Sequence, residues 1–231
     1  MFKKSAFLLT TLIVFSSSLQ AQTVIAKYAG EFMALGVGGR ALGMGGAFVA
    51  VANDVTSGYY NPAGLANLNY PQLALMHSEQ FGNLVNYDYG AVGIPFEDDM
   101  SFGLSVMRLG VDGIPDTRGA LYDANGDGII DISDDRLDYS RITEFSNQDW
   151  AFYLTFAKRQ TEDFYWGINA KIIRRDLAEF GATGIGFDVG AYYTPMENLY
   201  LGANLQDATT TLVAWSTGRN ELVSPTLKVG G

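Results

Sequence analysis

The sequence predicts an all-β fold, an antiparallel transmembrane β-barrel with a short N-terminal plug, and three observations lead there. Large apolar residues alternate with small or polar ones at a period of two over successive segments, which is the periodicity of strands. The composition is rich in glycine (27 of 231 residues) and aromatics (13%) and poor in charge (17%), where a soluble domain usually carries about 25% charge. Beyond the first residues no window reaches the roughly 18 consecutive apolar residues of a helical membrane span.

The chain opens on Lys3 and Lys4, then the apolar run Ala6 to Phe15, then the small and polar tail Ser16 to Ala21. Charged, apolar and small residues in that order make a secretory signal peptide over residues 1–21, cleaved after Ala21. The apolar run of about ten residues is too short to span a bilayer. With export and a barrel, the expected location is the bacterial outer membrane and the expected surroundings are its lipid. The chain has no cysteine, which excludes a lipoprotein acceptor and a disulfide framework. A net charge of -10 argues against a nucleic-acid partner, which would need a basic patch.

The strands are placed by parity. In Asp149 to Lys158, Trp150, Phe152, Leu154 and Phe156 share one face, opposite Ala151, Tyr153, Thr155 and Ala157. In Asp163 to Arg174, Phe164, Trp166, Ile168, Ala170 and Ile172 oppose Tyr165, Gly167, Asn169, Lys171 and Ile173. The same scheme fits Gln72 to Phe81, Leu84 to Pro95, Met100 to Gly110, Gly184 to Thr194 and Asn198 to Gln206, with an eighth strand beginning at Thr226. A soluble sandwich also alternates, but its exposed face carries many charges. Here the second face is Gly, Ser, Asn and Tyr, as expected of a barrel with lipid outside and a narrow polar interior. Tyr87, Tyr89, Trp150, Trp166, Tyr192, Tyr193 and Tyr200 are candidates for interfacial aromatic girdles.

Short connections at Phe96 to Asp99, Gln160 to Glu162 and Pro195 to Glu197 are expected on one rim. Long ones are expected on the other, at Val111 to Gln148, Arg175 to Thr183 and Asp207 to Ser224, with Gly82-Asn83 as a clipped loop. Single-chain barrels close with an even number of strands and tolerate no open edge in lipid. Residues 70–231 therefore read as the first seven to eight strands of a larger barrel, with a long outer loop at 111–148.

Residues 22–69 form a glycine-rich block. Gly38, Gly39, Arg40, Gly43, Gly45 and Gly46 lead into Asn53 and Asp54, then into Asn61, Pro62 and Gly64. The stretch Gly36 to Ala41 matches a dinucleotide-binding glycine pattern, but no strand precedes it and no βαβ unit follows. Turn chemistry at Asn61-Pro62, and glycines that let backbone lie close against a wall, suit a compact segment inside a barrel mouth. Asn53 and Asp54 are placed to cap a following short helix.

At Gly38 to Phe48, at Ala52-Asn53-Asp54 and at Tyr60 to Leu65, the sequence resembles the PorV/PorQ family of FadL-like outer-membrane barrels. The resemblance covers roughly positions 28 to 70 closely and the strands only in general. It implies a barrel of about fourteen strands, of which this chain supplies the first half, with the glycine-rich block as plug. It also implies either a type IX secretion or surface-attachment component, with secretion-system subunits and exported cargo proteins as partners, or a FadL-like channel for hydrophobic small molecules. The motif wording leans toward the first.

In the long outer loop, Asp123, Asn125, Asp127, Ile129, Asp131 and Asp134 fall at positions 1, 3, 5, 7, 9 and 12 of a calcium-loop spacing, with Gly128 at position 6. Calcium needs six to eight hard oxygens, and this spacing can converge them, Ile129 through its carbonyl. Position 12 is an aspartate, shorter than the usual glutamate, and no long helix flanks the loop. An acidic surface loop is the alternative.

His77, the sole histidine, is expected to be packed or to face the lumen. Lys171, Arg174 and Arg175 are expected as a charge cluster toward the outer rim. No nucleophile with a base partner, no paired catalytic carboxylates and no phosphate loop are readable, so no enzyme activity is expected.

Overall fold

The computed structural model describes residues 23–25, 29–124, 126, 128–129 and 136–231. The expected signal peptide lies outside them. The fold is mostly antiparallel β-sheet with few, short helices, and among the described residues no helix is long and apolar enough to cross a membrane.

The strands are β1 (Thr23–Ile25), β2 (Gln72–Gln80), β3 (Val85–Phe96), β4 (Met100–Asp116), β5 (Leu121–Tyr122), β6 (Arg136–Leu137), β7 (Thr143–Arg159), β8 (Phe164–Leu177), β9 (Phe180–Met196), β10 (Leu199–Gln206), β11 (Thr211–Trp215), β12 (Asn220–Val223) and β13 (Thr226–Gly230). From β2 the main sheet runs through β3, β4, β7 and β8 to β9, each antiparallel to the last. Both β10 and β11 pair with β9, one beyond the other, and they pair in turn with β13 and β12. The parallel strand β1 adds to β12. Among the described residues no pairing joins the two ends of this sheet.

Two expected long loops are replaced by continued pairing. β8 and β9 run past Arg174 and Gly184 and meet in a turn at residues 178–179, with Ala178 at φ 51°. The stretch expected as a loop at 207–224 instead contains β11 and β12, which pair with each other. The loop expected at 111–148 is shorter, because β4 and β7 extend to Asp116 and Thr143. Periodicity in these extensions is weakened by glycine and charge, whereas a pairing strand already in place continues to satisfy each new backbone group.

The inward face of the sheet packs an apolar core with the N-terminal segment, around Phe48, Tyr87, Met107 and Ile173, while the outward face carries large apolar side chains that are exposed. The rung Leu73–Val92–Leu104–Leu154–Ala170–Phe187 lies on the outward face, with Leu154 60% exposed. The rung on one side is Leu75–Gly90–Val106–Phe152–Ile172–Ile185–Leu212, and on the other Ile94–Phe102–Phe156–Ile168–Val189–Leu205. One step further out, polarity returns on the rung His77–Asp88–Arg108–Trp150–Arg174–Thr183. On the opposite border it returns in part, at Lys158 and Trp166. The inward face also buries Ser101, Ser105, Thr155, Asn169, Lys171, Asp188 and Asn204.

Parity also sorts the residues left open by sequence. His77 faces outward beside Leu73 and Leu75, its side chain 57% exposed and its Nδ1 2.6 Å from Asp88. Neither packing nor a lumen holds it. Of the girdle candidates, Tyr87, Tyr89 and Tyr192 are buried on the inward face, which removes them from any girdle. Lys171, Arg174 and Arg175 do not cluster, because successive side chains alternate: Lys171 and Arg175 point inward, Arg174 outward.

Candidate functional site: the seat of the N-terminal segment

Residues 29–69 lie in the concavity of the sheet, and the contact surface is built largely by absent side chains. Three pairs of glycines meet across neighbouring strands: Gly93 with Gly103, Gly167 with Gly190, and Gly202 with Gly230. Each pair underlies one part of the segment. A Cβ on Gly167 would come within 2.5 Å of the Pro62 carbonyl carbon, and one on Gly190 would overlap Asn61 Oδ1. A Cβ on Gly202 would overlap the Val49 carbonyl, and one on Gly93 would press into Leu68 at 2.6 Å. At Gly167 and Gly202 the dents let backbone approach backbone, and at Gly190 and Gly93 they admit the Asn61 and Leu68 side chains, a close approach that only glycine permits.

Hydrogen bonds then fix the seat. The short helix Ser57–Tyr60 ends with carbonyls that have no helical partner. The wall supplies them: Asn169 Nδ2 donates to Gly58 O (2.7 Å), Asn204 Nδ2 to Tyr60 O (2.9 Å) and Gln206 Nε2 to Tyr59 O (3.4 Å). Asn61, fully buried, spans the interface, its Nδ2 donating to Ala191 O (3.0 Å) and Val49 O (2.9 Å) while its Oδ1 accepts from Ala63 N (3.2 Å). Within the segment, the hydroxyls of Tyr59 and Tyr60 donate to the carbonyls of Met33 and Val37 and accept from the amides of Gly36 and Val37.

Beside this seat lies a buried ion cluster. Lys171 Nζ stands 2.8 Å from Asp188 and 2.7 Å from Asp207, with Lys171 3% and Asp188 1% exposed. Asn169 donates to Asp188 Oδ2 (3.1 Å), the Asp207 amide donates to Asp188 Oδ1 (2.8 Å), and Thr211 donates to Asp207. Charges removed from water persist when they are paired and hydrogen-bonded, and each of these has such partners. The cluster joins β8 and β9 to the step between β10 and β11.

The residues singled out by sequence divide into two groups. Asn61, Pro62 and Gly64 are buried in the seat, and a Cβ on Gly64 would overlap the Ala52 carbonyl. Gly39, Gly43, Gly45 and Gly46 are exposed, with open space where a Cβ would sit. Gly38 and Gly45 take positive φ (75° and 62°) around the short helix Gly39–Gly43, so they serve turns. Arg40 donates to Asn53 Oδ1 (2.7 Å), lies 3.8 Å from Asp54 and sits over the Phe48 ring, tying the two motifs together. Asp54 accepts from the Thr56 amide (2.8 Å), while Asn53 is turned to Arg40. The sequence places Gly167 and Asn169 on the small, polar face but does not single out these two, Gly190 or Asn204 as a seat; their signal was glycine and asparagine recurring on the inward parity of adjacent strands.

In the outer loop, both carboxylate oxygens of Asp123 accept loop amides, from Gly126 (2.5 Å) and Gly128 (2.8 Å). The Ile129 side chain is exposed. Asn125, Asp127, Asp131 and Asp134 lie outside the described residues, and among the described residues no three His, Cys, Asp or Glu side chains converge as a metal site. Arg118 anchors the base of the loop, its guanidinium 2.7 Å from Asp116 and 2.8 Å from Glu179. The Arg118 hydrogen bond holds the Glu179 carboxyl below its ordinary range.

The family model that matches this chain, over residues 10–112, is described as Uncharacterised protein family (UPF0164). The match spans the N-terminal segment and ends within β4. No curated protein matches. This corrects the resemblance to the PorV/PorQ family and to FadL-like barrels: the matching model is a different family, and nothing names either of those. The glycine-rich wording that suggested them is short, and its glycines form a short helix and the turns on either side of it.

Proposed function

We propose that the chain forms wall of an outer-membrane β-barrel, with residues 29–69 seated inside it as a plug, and that its work is non-catalytic. The observation that carries this reading is the continuous apolar belt on the outward face, bordered by His77–Asp88–Arg108–Trp150–Arg174 on one side and Lys158–Trp166 on the other. Trp150 and Lys158 are eight residues apart on β7, about 26 Å along the strand and about 20 Å along a membrane normal at a tilt of about 40°. That height suits the apolar band of outer-membrane barrels, about 25 Å. In water such a belt would be a large exposed apolar patch.

Two jobs suit a plugged wall: service to exported or surface-attached proteins together with secretion-system subunits, or passage of hydrophobic solutes. Buried Lys171, Asp188 and Asp207 and the tightly seated segment favour the first, because an apolar solute would have to pass a paired ion cluster that offers it no apolar surface and lift the plug. The test uses full-length protein taken from outer-membrane vesicles into liposomes. Uptake of a fluorescent long-chain fatty acid should match empty liposomes, and cross-linkers placed in the loop between β4 and β7 should capture a defined exported protein. Fatty-acid uptake well above empty liposomes, without any captured protein, would transfer the assignment to the solute channel. Recovery of the protein in the soluble fraction would end the membrane reading.

The outer loop is proposed to take calcium through Asp123 and the residues spaced after it. One proteolysis experiment reads the loop in two ways. Millimolar calcium should slow cleavage between residues 117 and 142 in wild type but not in Asp123→Asn, and equal rates with and without calcium would reject the site. The pH arm tests the Arg118 tether. A carboxyl whose folded value is depressed stabilises above the unfolded value, about 4.3 for glutamate, and loses that contribution as pH falls through the folded value. Cleavage at the loop base should therefore rise below about pH 4 in wild type, and in Arg118→Ala should be high already at neutral pH.

A further inference from the structure

At the rim carrying the short turns, beneath the seated segment, lies a cleft of about 630 Å³. Its chemistry differs from the rest of the inward face. Tyr165, Tyr192 and Tyr200 line it together with Asn67, Asn69 and Asn198, and the sole lining residue charged at neutral pH is Glu197. No lysine or arginine lines it, although Arg159 stands over the Tyr165 ring at 5.4 Å, and there is no deep apolar pocket to take a hydrocarbon.

These tyrosines do not belong to a lipid girdle. Tyr165 and Tyr192 pair across β8 and β9 on the inward parity, with Gly167, Asn169, Gly190 and Asp188 above them, and their rings meet edge to face at 5.7 Å. Tyr192 lies 6.3 Å from Tyr200, which continues the row into β10. The register shifts between Leu199 and Leu201, placing Tyr200 at an irregularity of the kind that re-aims a side chain, and it remains 44% exposed. Asn198 takes the left-handed backbone of the turn beside it (φ 65°). Asn67 lines the cleft and is held by its Nδ2, which donates to Gly64 O (3.1 Å).

We propose that this cleft binds a neutral glycan strand. An exposed tyrosine ring offers a flat apolar platform for the C–H face of a sugar, and amide side chains donate to and accept from hydroxyl or acetamido groups at once. A charged or apolar peptide would want several charges or an apolar pocket, and the cleft offers one carboxylate, Glu197, and no such pocket. Its chemistry stands without the membrane reading; only the expectation that the rim faces the periplasm, and hence wall glycan, rests on it.

The test is binding by full-length protein in detergent micelles, so failure of the membrane reading does not decide it. The probes are chitohexaose, cellohexaose and a neutral Ser/Gly dodecapeptide. Saturable binding of chitohexaose is expected, weakened about tenfold or more by Tyr200→Ala and little by Tyr200→Phe, which keeps the ring. Asn69→Ala, on the exposed segment, should weaken it too without altering the unfolding profile. Preference for chitohexaose identifies an N-acetylated glycan, and equal binding of cellohexaose a hydroxyl-rich one. The proposal is overturned if neither sugar binds saturably, if Tyr200→Ala binds as wild type, or if the peptide binds more tightly than both.

Discussion

Replacing Leu154 with arginine is expected to cost about 2–4 kcal/mol of folding stability in a bilayer, the range for a cation at the midplane of a barrel's lipid face. Leu154 sits four residues from each border of the belt on β7 and is 60% exposed. Exposure makes the outcome discriminating. On a water-facing strand an exposed Leu→Arg change falls within about 0.5 kcal/mol, because nothing is desolvated. Thr183→Arg supplies the contrast: it lies on the polar border rung beside Arg174, where the expected cost is about 0–1 kcal/mol. Urea unfolding from lipid vesicles measures both, and equal stability of Leu154→Arg and wild type would show that the apolar belt does not meet lipid.

Valine at Gly167 is expected to displace the plug. The hypothetical Cβ meets the Pro62 carbonyl carbon at 2.5 Å and Ala63 N at 2.6 Å. These are backbone atoms, which cannot rotate away as a side-chain tip would. Overpacking of this kind costs roughly 1–3 kcal/mol or more. Displacement also strips the partners from Asn61, Asn169 and Asn204, each a buried amide whose unmade bond costs about 1–3 kcal/mol. The sheet pairing between β8 and β9 does not pass through the Gly167 side chain, so the wall should persist while residues 29–69 become protease-accessible. Asn61→Ala should act in the same direction without adding bulk. If Gly167→Val leaves that segment as resistant as in wild type, the glycine dents are not what seats it.

Much of the wall was legible in the sequence because a strand writes its parity locally. Trp150, Phe152, Leu154 and Phe156 announce one face without knowledge of any neighbour, and the structure places them on the outward one. Strand ends were less legible. β8 and β9 extend through Arg175, Asp176 and Gly181, residues with weak strand preference, because each strand finds its partner's backbone already in place. The charge cluster inferred from Lys171, Arg174 and Arg175 failed for a related reason: adjacency along a strand is separation across it.

The seat was legible only in part. Asn61-Pro62 pointed to a compact turn from local chemistry alone, and Asn61 does head the 3-10 turn Pro62–Asn67 with its side chain accepting from Ala63. The glycines were assigned to the wrong partner. Gly39, Gly43, Gly45 and Gly46 of the N-terminal block face open space and Gly64 packs within the block on the Ala52 carbonyl, while the close approach to the wall is made by glycines of the strands, whose pairing depends on register between segments far apart in sequence.

By itself, then, the sequence determined an antiparallel β protein with one apolar face and one small, polar face, since both follow from a period-two pattern readable within ten residues. Tertiary structure alone decided which strands extend, which glycines coincide to form a dent, and which lysine lies between two aspartates. Each of these requires two or more distant segments to be brought into register, and a linear pattern carries no record of that alignment until the backbone hydrogen bonds have set it.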